Sequence, residues 1–254
     1  STIVRLGEGL ANSGRLSGPA MSRTMDGLRR YTDIAASHGV ERLFCVGTAA
    51  LREAANSGEF LASVKDAFGF DVEVISARDE ARYTYLSVRD DHTVRAQDMT
   101  IIDIGGGSTE VISGTDQDFG GYVSLPMGSV RLTDAFVSHD PPSGEEMDRV
   151  VAYIREHLPA VACRDGSTLV GTAGTVTNIA AMVAGIGTYD KEIVHGFVIG
   201  LGQLKALIAS LTGLTSDERR RVTGMEPGRE DIIVQGAVIL REIMEHGGFD
   251  RVKV

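Results

Sequence analysis

The stretch Thr100-Ile101-Ile102-Asp103-Ile104-Gly105-Gly106-Gly107-Ser108-Thr109-Glu110-Val111-Ile112-Ser113 decides the architecture. An apolar run closes on a carboxylate and three glycines. Two hydroxyl residues and a second carboxylate then open a second apolar run. Short apolar runs bounded by glycine read as two strands joined by a tight turn, a hairpin rather than a strand feeding a helix. Without Cβ atoms, such a turn can bring main-chain N–H groups against phosphate oxygens. Ser108 and Thr109 add hydroxyl donors. Asp103 and Glu110 can hold Mg2+, directly or through water, or orient a nucleophile. A plain hairpin needs one or two glycines. Three, flanked by two carboxylates and two hydroxyls, favour phosphate chemistry over a simple turn.

Outward from this hairpin, strand-like runs alternate with helical patterns. Residues 43–47, 72–75 and 168–170 read as further strands. One amphipathic stretch starts near Ser17-Gly18-Pro19 and carries Met21, Met25, Leu28 and Tyr31 on one face. Another follows Pro141-Pro142 with a capping box, Ser143 and Glu146, and presents Met147, Val150, Val151, Ile154 and Leu158 at three-and-four spacing. This alternation predicts an α/β architecture. The polar segment at residues 89–98 reads as a linker, which sets domains at 1–93 and 94–254. Beyond Gly185 the pattern is largely helical, over residues 200–211, 216–223 and 229–246. Residues 1–6 and 249–254 read as strands, and a chain that starts and stops inside elements is expected to be a piece of a longer protein.

The 254 residues carry a net charge of -10, which disfavours nonspecific nucleic-acid binding because that rests on neutralising phosphates. Basic groups that meet a polyanion must therefore be concentrated locally. No run of eighteen apolar residues suggests a membrane span, and residues 1–14 lack a signal-peptide pattern. Only Cys45 and Cys163 are present, so neither a disulfide framework nor a zinc site is indicated, and a cytoplasmic location is expected. Cys45 lies in the apolar run Leu43-Phe44-Cys45-Val46 and reads as core.

Three more motifs bear on chemistry. Val170-Gly171-Thr172-Ala173-Gly174-Thr175-Val176-Thr177-Asn178 follows a strand and opens a helix, presenting N–H groups to an anion. It is neither a P-loop nor a G-x-G-x-x-G, and a turn with threonine capping explains it equally well. Gly47-Thr48-Ala49-Ala50-Leu51-Arg52-Glu53 also passes from strand to helix, with Arg52 placed to clamp a phosphate. By itself that arginine reads as an exposed helical residue. In Ser76-Ala77-Arg78-Asp79-Glu80-Ala81, acidic residues in a first helical turn complement the dipole, and a carboxylate near a phosphate could also serve as a general base. His195, Lys191 and Arg229 read as solvated or structural groups.

Together, in this order and spacing, the four motifs resemble the exopolyphosphatase and guanosine pentaphosphate phosphohydrolase family. The likeness runs from Val4-Arg5-Leu6-Gly7-Glu8-Gly9 through the motifs above to Val194-His195-Gly196 and Arg229 with Asp231, Ile232 and Gly236. It implies an actin, sugar-kinase and Hsp70-like α/β fold of two ribonuclease-H-like lobes with phosphate bound in the cleft. By resemblance, Glu80 activates the attacking water. Asp103 and Glu110 are catalytic carboxylates around Mg2+, with Mn2+ as the alternative. Gly105, Gly106, Gly107, Ser108 and Thr109 form the phosphate loop, and Thr48 and Arg52 contact the phosphate chain. Gly171, Thr172, Gly174 and Thr175 line the cleft. The substrate is polyphosphate or guanosine pentaphosphate, and a homodimer is expected.

The chain departs from the family pattern at both ends. It lacks the leading Asp-x-Gly-(Ser/Thr)-Asn-Ser phosphate loop and the trailing Gly-Leu-Arg-Glu-Gly motif. With half the phosphate clamp absent, weak phosphate binding and little hydrolysis are expected of the chain as it stands. Two other readings stay open: an ATP-using relative of the same superfold, and a noncatalytic polyphosphate or alarmone binder.

Overall fold

The computed structural model describes residues 2–94, 96–158 and 166–254, so Cys163 lies outside the described residues. The chain divides into two compact units, Ser1–Glu80 and Ala81–Val254.

In the first unit the helices α1 (Leu10–Ser13) and α2 (Gly18–Ser37) precede strand β1 (Cys45–Gly47). Helices α3 (Ala49–Glu53) and α4 (Ser57–Phe68) then lead to β2 (Val72–Val74). The Ser17 side chain caps α2 by accepting from the Ala20 N–H, with Pro19 in the first turn, a favoured way to begin a helix. β1 and β2 pair in parallel. Leu10, Leu16, Leu51, Ala54, Phe60 and Val64 form the core, with Met21, Met25 and Leu28 packed against it as the helical spacing predicts. Buried Asn56 ties this core together by accepting from the Leu16 N–H and donating to the Leu16 carbonyl.

Three expectations fail here. Residues 3–6 form no strand; Arg5 takes φ 51° and the chain turns, with Glu8 N–H donating to the Arg5 carbonyl. The run around Cys45 is not core, because β1 belongs to a two-stranded sheet that covers little of it: Phe44 is 90% exposed and Leu43 and Val46 are about half exposed. Tyr31 is exposed as well.

Helix α5 (Ala77–Arg89) contains the division between the units. That point is thirteen residues before the 93/94 boundary that the sequence places within its polar segment. The reason is packing: Ala81, Tyr85 and Val88 bury themselves on Met99, Ile101, Ile112 and Val170, which ties most of α5 to the second unit.

The second unit continues with β3 (Asp98–Ile104), β4 (Thr109–Thr115), β5 (Phe119–Leu125), α6 (Ser129–Phe136) and α7 (Gly144–His157). It goes on with β6 (Thr168–Thr172), α8 (Ala173–Ala184), α9 (Lys191–Val194), β7 (Val198–Gly200) and α10 (Leu201–Thr212). It ends with α11 (Ser216–Arg219), α12 (Ile233–His246) and β8 (Arg251–Lys253). The sheet order is β5-β4-β3-β6-β8-β7. β3, β4 and β5 form an antiparallel meander, as the glycine hairpin predicts, while β6 and β8 run parallel to β3. β7 closes the far edge antiparallel to β8.

Alternation along β3 assigns the two faces. Met99 and Ile101 meet α5, whereas Ile102 and Ile104 join Val111, Leu169, Val176 and the α12 residues in the main core. α12 is buried on nearly every side, so it reads as apolar all round rather than amphipathic. The capping box at α7 is present in full: the Ser143 hydroxyl accepts from the Glu146 N–H and Glu146 accepts from the Ser143 N–H. The helices expected over 216–223 and 229–246 are shorter. Arg219 turns inward to donate to the Leu211 and Glu230 carbonyls, and Gly224 takes φ +87°.

Candidate active site

The centre of the second unit's site is the end of the β3–β4 hairpin. Asp103 and Glu110 are direct ladder partners, so their side chains share one face of the sheet. It is the face that α5 covers, since Asp103 alternates in phase with Met99 and Ile101. From α5, the Thr84 hydroxyl donates to Asp103 Oδ2 at 3.2 Å. From β5, the Ser124 hydroxyl donates to Glu110 Oε1 at 2.8 Å, and Glu110 is only 2% exposed.

Two carboxylates opposed across a ladder repel each other, and a divalent cation held between them relieves that repulsion. Among the described residues, no group of three or more His, Cys, Asp or Glu is gathered to hold a metal by protein ligands alone. Two carboxylates supplemented by substrate phosphate oxygens are what Mg2+ commonly takes. The donor set of Asp103 and Glu110 therefore fits Mg2+.

Between these carboxylates the chain turns through Gly105, Gly106 and Gly107. The Gly105 N–H donates to the Ser108 carbonyl at 3.0 Å. The turn's own carbonyls face α6. Gly105 O accepts from the Ser129 N–H (3.0 Å) and hydroxyl (3.3 Å), Gly106 O from the Arg131 N–H (3.0 Å), and Gly107 O from Arg131 Nε (2.7 Å). Ser108 is buried beside them. The Thr109 hydroxyl is fully buried and donates to the Met127 carbonyl at 2.6 Å.

The Gly171 to Thr175 motif lies next to β3. The hydroxyls of Thr172 and Thr175 donate to the carbonyls of Ile102 and Ile104, so in this conformation both protons serve the fold. Gly171 is buried within β6. Ala173 adopts φ 65°, a left-handed conformation that costs a non-glycine residue about 1–3 kcal/mol. At Gly174 a Cβ would lie 1.9 Å from Arg229 Nη2: the guanidinium rests on this glycine's backbone at the start of α8 while Nε is paired with Glu226. His195 is tied to Asp91 Oδ2 at 2.9 Å and to the Thr93 hydroxyl at 3.2 Å, a link within the second unit.

In the first unit, Thr48 is the N-cap residue of α3 and Arg52 sits on that helix. Arg52 Nη1 donates to Glu80 Oε2 at 2.7 Å and to the Ile75 carbonyl at 3.0 Å. Two residues that the sequence treats separately, Arg52 and Glu80, thus form one partly buried ion pair. Glu80 and Thr84 are four residues apart on α5, which puts them one turn apart on the same side of that helix.

Sequence reasoning missed Thr84, Ser124 and Arg131, the residues that hold Asp103, Glu110 and the glycine turn. The signal available for the last two was the run Ser124-Leu125-Pro126-Met127-Gly128-Ser129-Val130-Arg131, a strand end and a glycine leading into a helix.

The chain is similar to known proteins over nearly its whole length. Exopolyphosphatase 2 of Mycobacterium tuberculosis is 32% identical over 265 residues, covering 99% of this chain and 83% of its own. The crystal structure of the Aquifex aeolicus member of the Ppx/GppA protein family superposes with a TM-score of 0.80 at 34% identity, over 100% of this chain and 82% of that one. An exopolyphosphatase from Cytophaga hutchinsonii gives a TM-score of 0.88 at 25% identity, over 100% and 83%. The fold is accordingly the actin-like, sugar-kinase-like α/β fold. The model of the Ppx/GppA phosphatase family matches residues 1–251, and the chain belongs to that family.

Proposed function

We propose that the chain is a phosphohydrolase that releases the terminal phosphate of inorganic polyphosphate by water attack, and takes guanosine pentaphosphate at the same site. Its relatives named exopolyphosphatase support polyphosphate as the substrate. The observation that carries the chemistry is the directly opposed pair Asp103 and Glu110, flanking a glycine turn whose carbonyls are held by α6.

Glu80 takes a proton from the attacking water, and Arg52, bonded to its Oε2, fixes the direction in which the carboxylate points. Both of the Arg52 bonds in the structure use Nη1, which lets the other edge of the guanidinium meet a phosphate oxygen. The backbone N–H groups of residues 106–108 offset charge on the transferred phosphoryl group, and the shortened phosphate chain leaves. Asp103 and Glu110 would hold Mg2+, or Mn2+, which when bound neutralises phosphate charge. The same reading assigns a cytoplasmic enzyme, acting on an alarmone of the stringent response as well as on polyphosphate, and a homodimer. Among the described residues no helix is long and apolar enough to cross a membrane.

The test is Glu80→Gln. Loss of a general base lowers turnover about a hundred- to ten-thousand-fold. Phosphate release from polyphosphate should fall by that much while tripolyphosphate binding, followed by calorimetry, persists. Unchanged turnover removes Glu80 from the mechanism.

A further inference from the structure

The glycine turn is held by a segment whose first residue lies more than twenty positions away in sequence. α6 has no side-chain cap, because its N-cap residue is Gly128. The N–H groups of Ser129 and Arg131, in its first turn, have no partner within the helix. They are satisfied instead by the carbonyls of Gly105 and Gly106, and the Arg131 side chain extends the series by one, with Nε on the Gly107 carbonyl at 2.7 Å. Three successive carbonyls of the turn are thus fixed toward α6.

These peptides are trans, and in a trans peptide the C=O and the N–H point in opposite directions. Fixing Gly105 O sets the direction of the Gly106 N–H, fixing Gly106 O sets the Gly107 N–H, and fixing Gly107 O sets the Ser108 N–H. Each N–H is turned away from α6. The positive end of the α6 dipole polarises the first two of these peptides, and the guanidinium charge polarises the third. Close approach is required for this: a Cβ on Gly128 would lie 2.3 Å from the Gly106 carbonyl oxygen.

We propose that Arg131 is a positioning residue for phosphoryl transfer, aiming the Ser108 N–H at the phosphate, with Gly128 as the contact that lets α6 seat the turn. This rests on the reading of residues 105–109 as the phosphate loop. In this role Arg131 acts through the Gly107–Ser108 peptide.

The experiment follows backbone amide shifts by NMR during titration of the protein with Mg2+ and tripolyphosphate, together with kcat and KM for polyphosphate. In the unaltered protein the amides of Gly106, Gly107 and Ser108 should move downfield on binding; if they do not, the proposal falls. In Arg131→Met the Ser108 shift should shrink and kcat should drop at least about tenfold, with KM changed less, at an unfolding temperature near that of the parent. A purely structural role would lower the unfolding temperature and leave the shift and kcat intact, which would overturn the proposal. If Arg131→Met does not fold, Gly128→Ala is read in the same way through the Gly107 amide. Amide shifts without any phosphate release would refute the hydrolase reading and support the positioning role. Phosphate release with equal kcat and equal shifts in parent and Arg131→Met would do the reverse.

Discussion

Glu110 owes its orientation to a neighbour that the sequence does not point out. It is enclosed, with the Ser124 hydroxyl on Oε1. A hydrogen bond to an ionised group contributes about 1.5–3 kcal/mol net. Ser124→Ala should therefore destabilise the second unit by about that amount and lower kcat, and Ser124→Thr, which keeps the hydroxyl, should recover most of both; denaturant titration and phosphate release check this. At this scale the sequence was legible where chemistry is compressed into one stretch: carboxylate, glycines, hydroxyls, carboxylate. It was not legible where one side chain supports another across the fold. The Arg52–Glu80 bond joins residues 28 apart and the Arg131–Gly107 bond residues 24 apart. The hydroxyls of Thr109, Thr172 and Thr175 look like phosphate donors in sequence, yet each donates to a main-chain carbonyl; for Thr109 and Thr175 the reason is that a buried hydroxyl must find a partner.

Among the elements, α7 shows the closest agreement between pattern and structure. Val150 and Ile154 are fully buried, and the Ser143–Glu146 capping box closes the N-terminus. Ser143→Ala should cost about 1 kcal/mol in urea unfolding. Glu146 also accepts from the Ser138 N–H, the Ser138 hydroxyl and His139. The Ser143 N–H foremost, then His139 and the Ser138 N–H, hold its carboxyl far below the usual range. A carboxyl lowered in the folded state contributes stability above its unfolded pKa and loses it as pH falls toward the folded value. The unfolding temperature should thus drop on acidification below about pH 4.5, and Glu146→Gln should flatten that drop. Had Glu146→Gln kept the parent's acid limb, the capping network would not be its source. The first unit agrees less well with its pattern. A short apolar run at residues 3–6 does not make a strand without a partner, and Phe44 stays in solvent because β1 has only β2 beside it.

For the molecule as a whole, alternating strands and helices announced an α/β fold, and the hairpin announced an antiparallel start to the second unit's sheet. The compact units divide within α5, ahead of the polar linker, because α5 packs on that sheet through Ala81, Tyr85 and Val88. A net charge of -10 leaves no general attraction for a polyanion, so recognition must be local. The turn amides and Arg52 are the groups proposed to supply it. The most direct test of the account is release of inorganic phosphate from long-chain polyphosphate in Mg2+, compared between the protein and its Asp103→Asn variant. Release by the protein should be slow but measurable, and the variant should lose about a hundredfold or more of it. Equal release by both, or binding of polyphosphate by the unaltered protein with no phosphate released, would contradict the account.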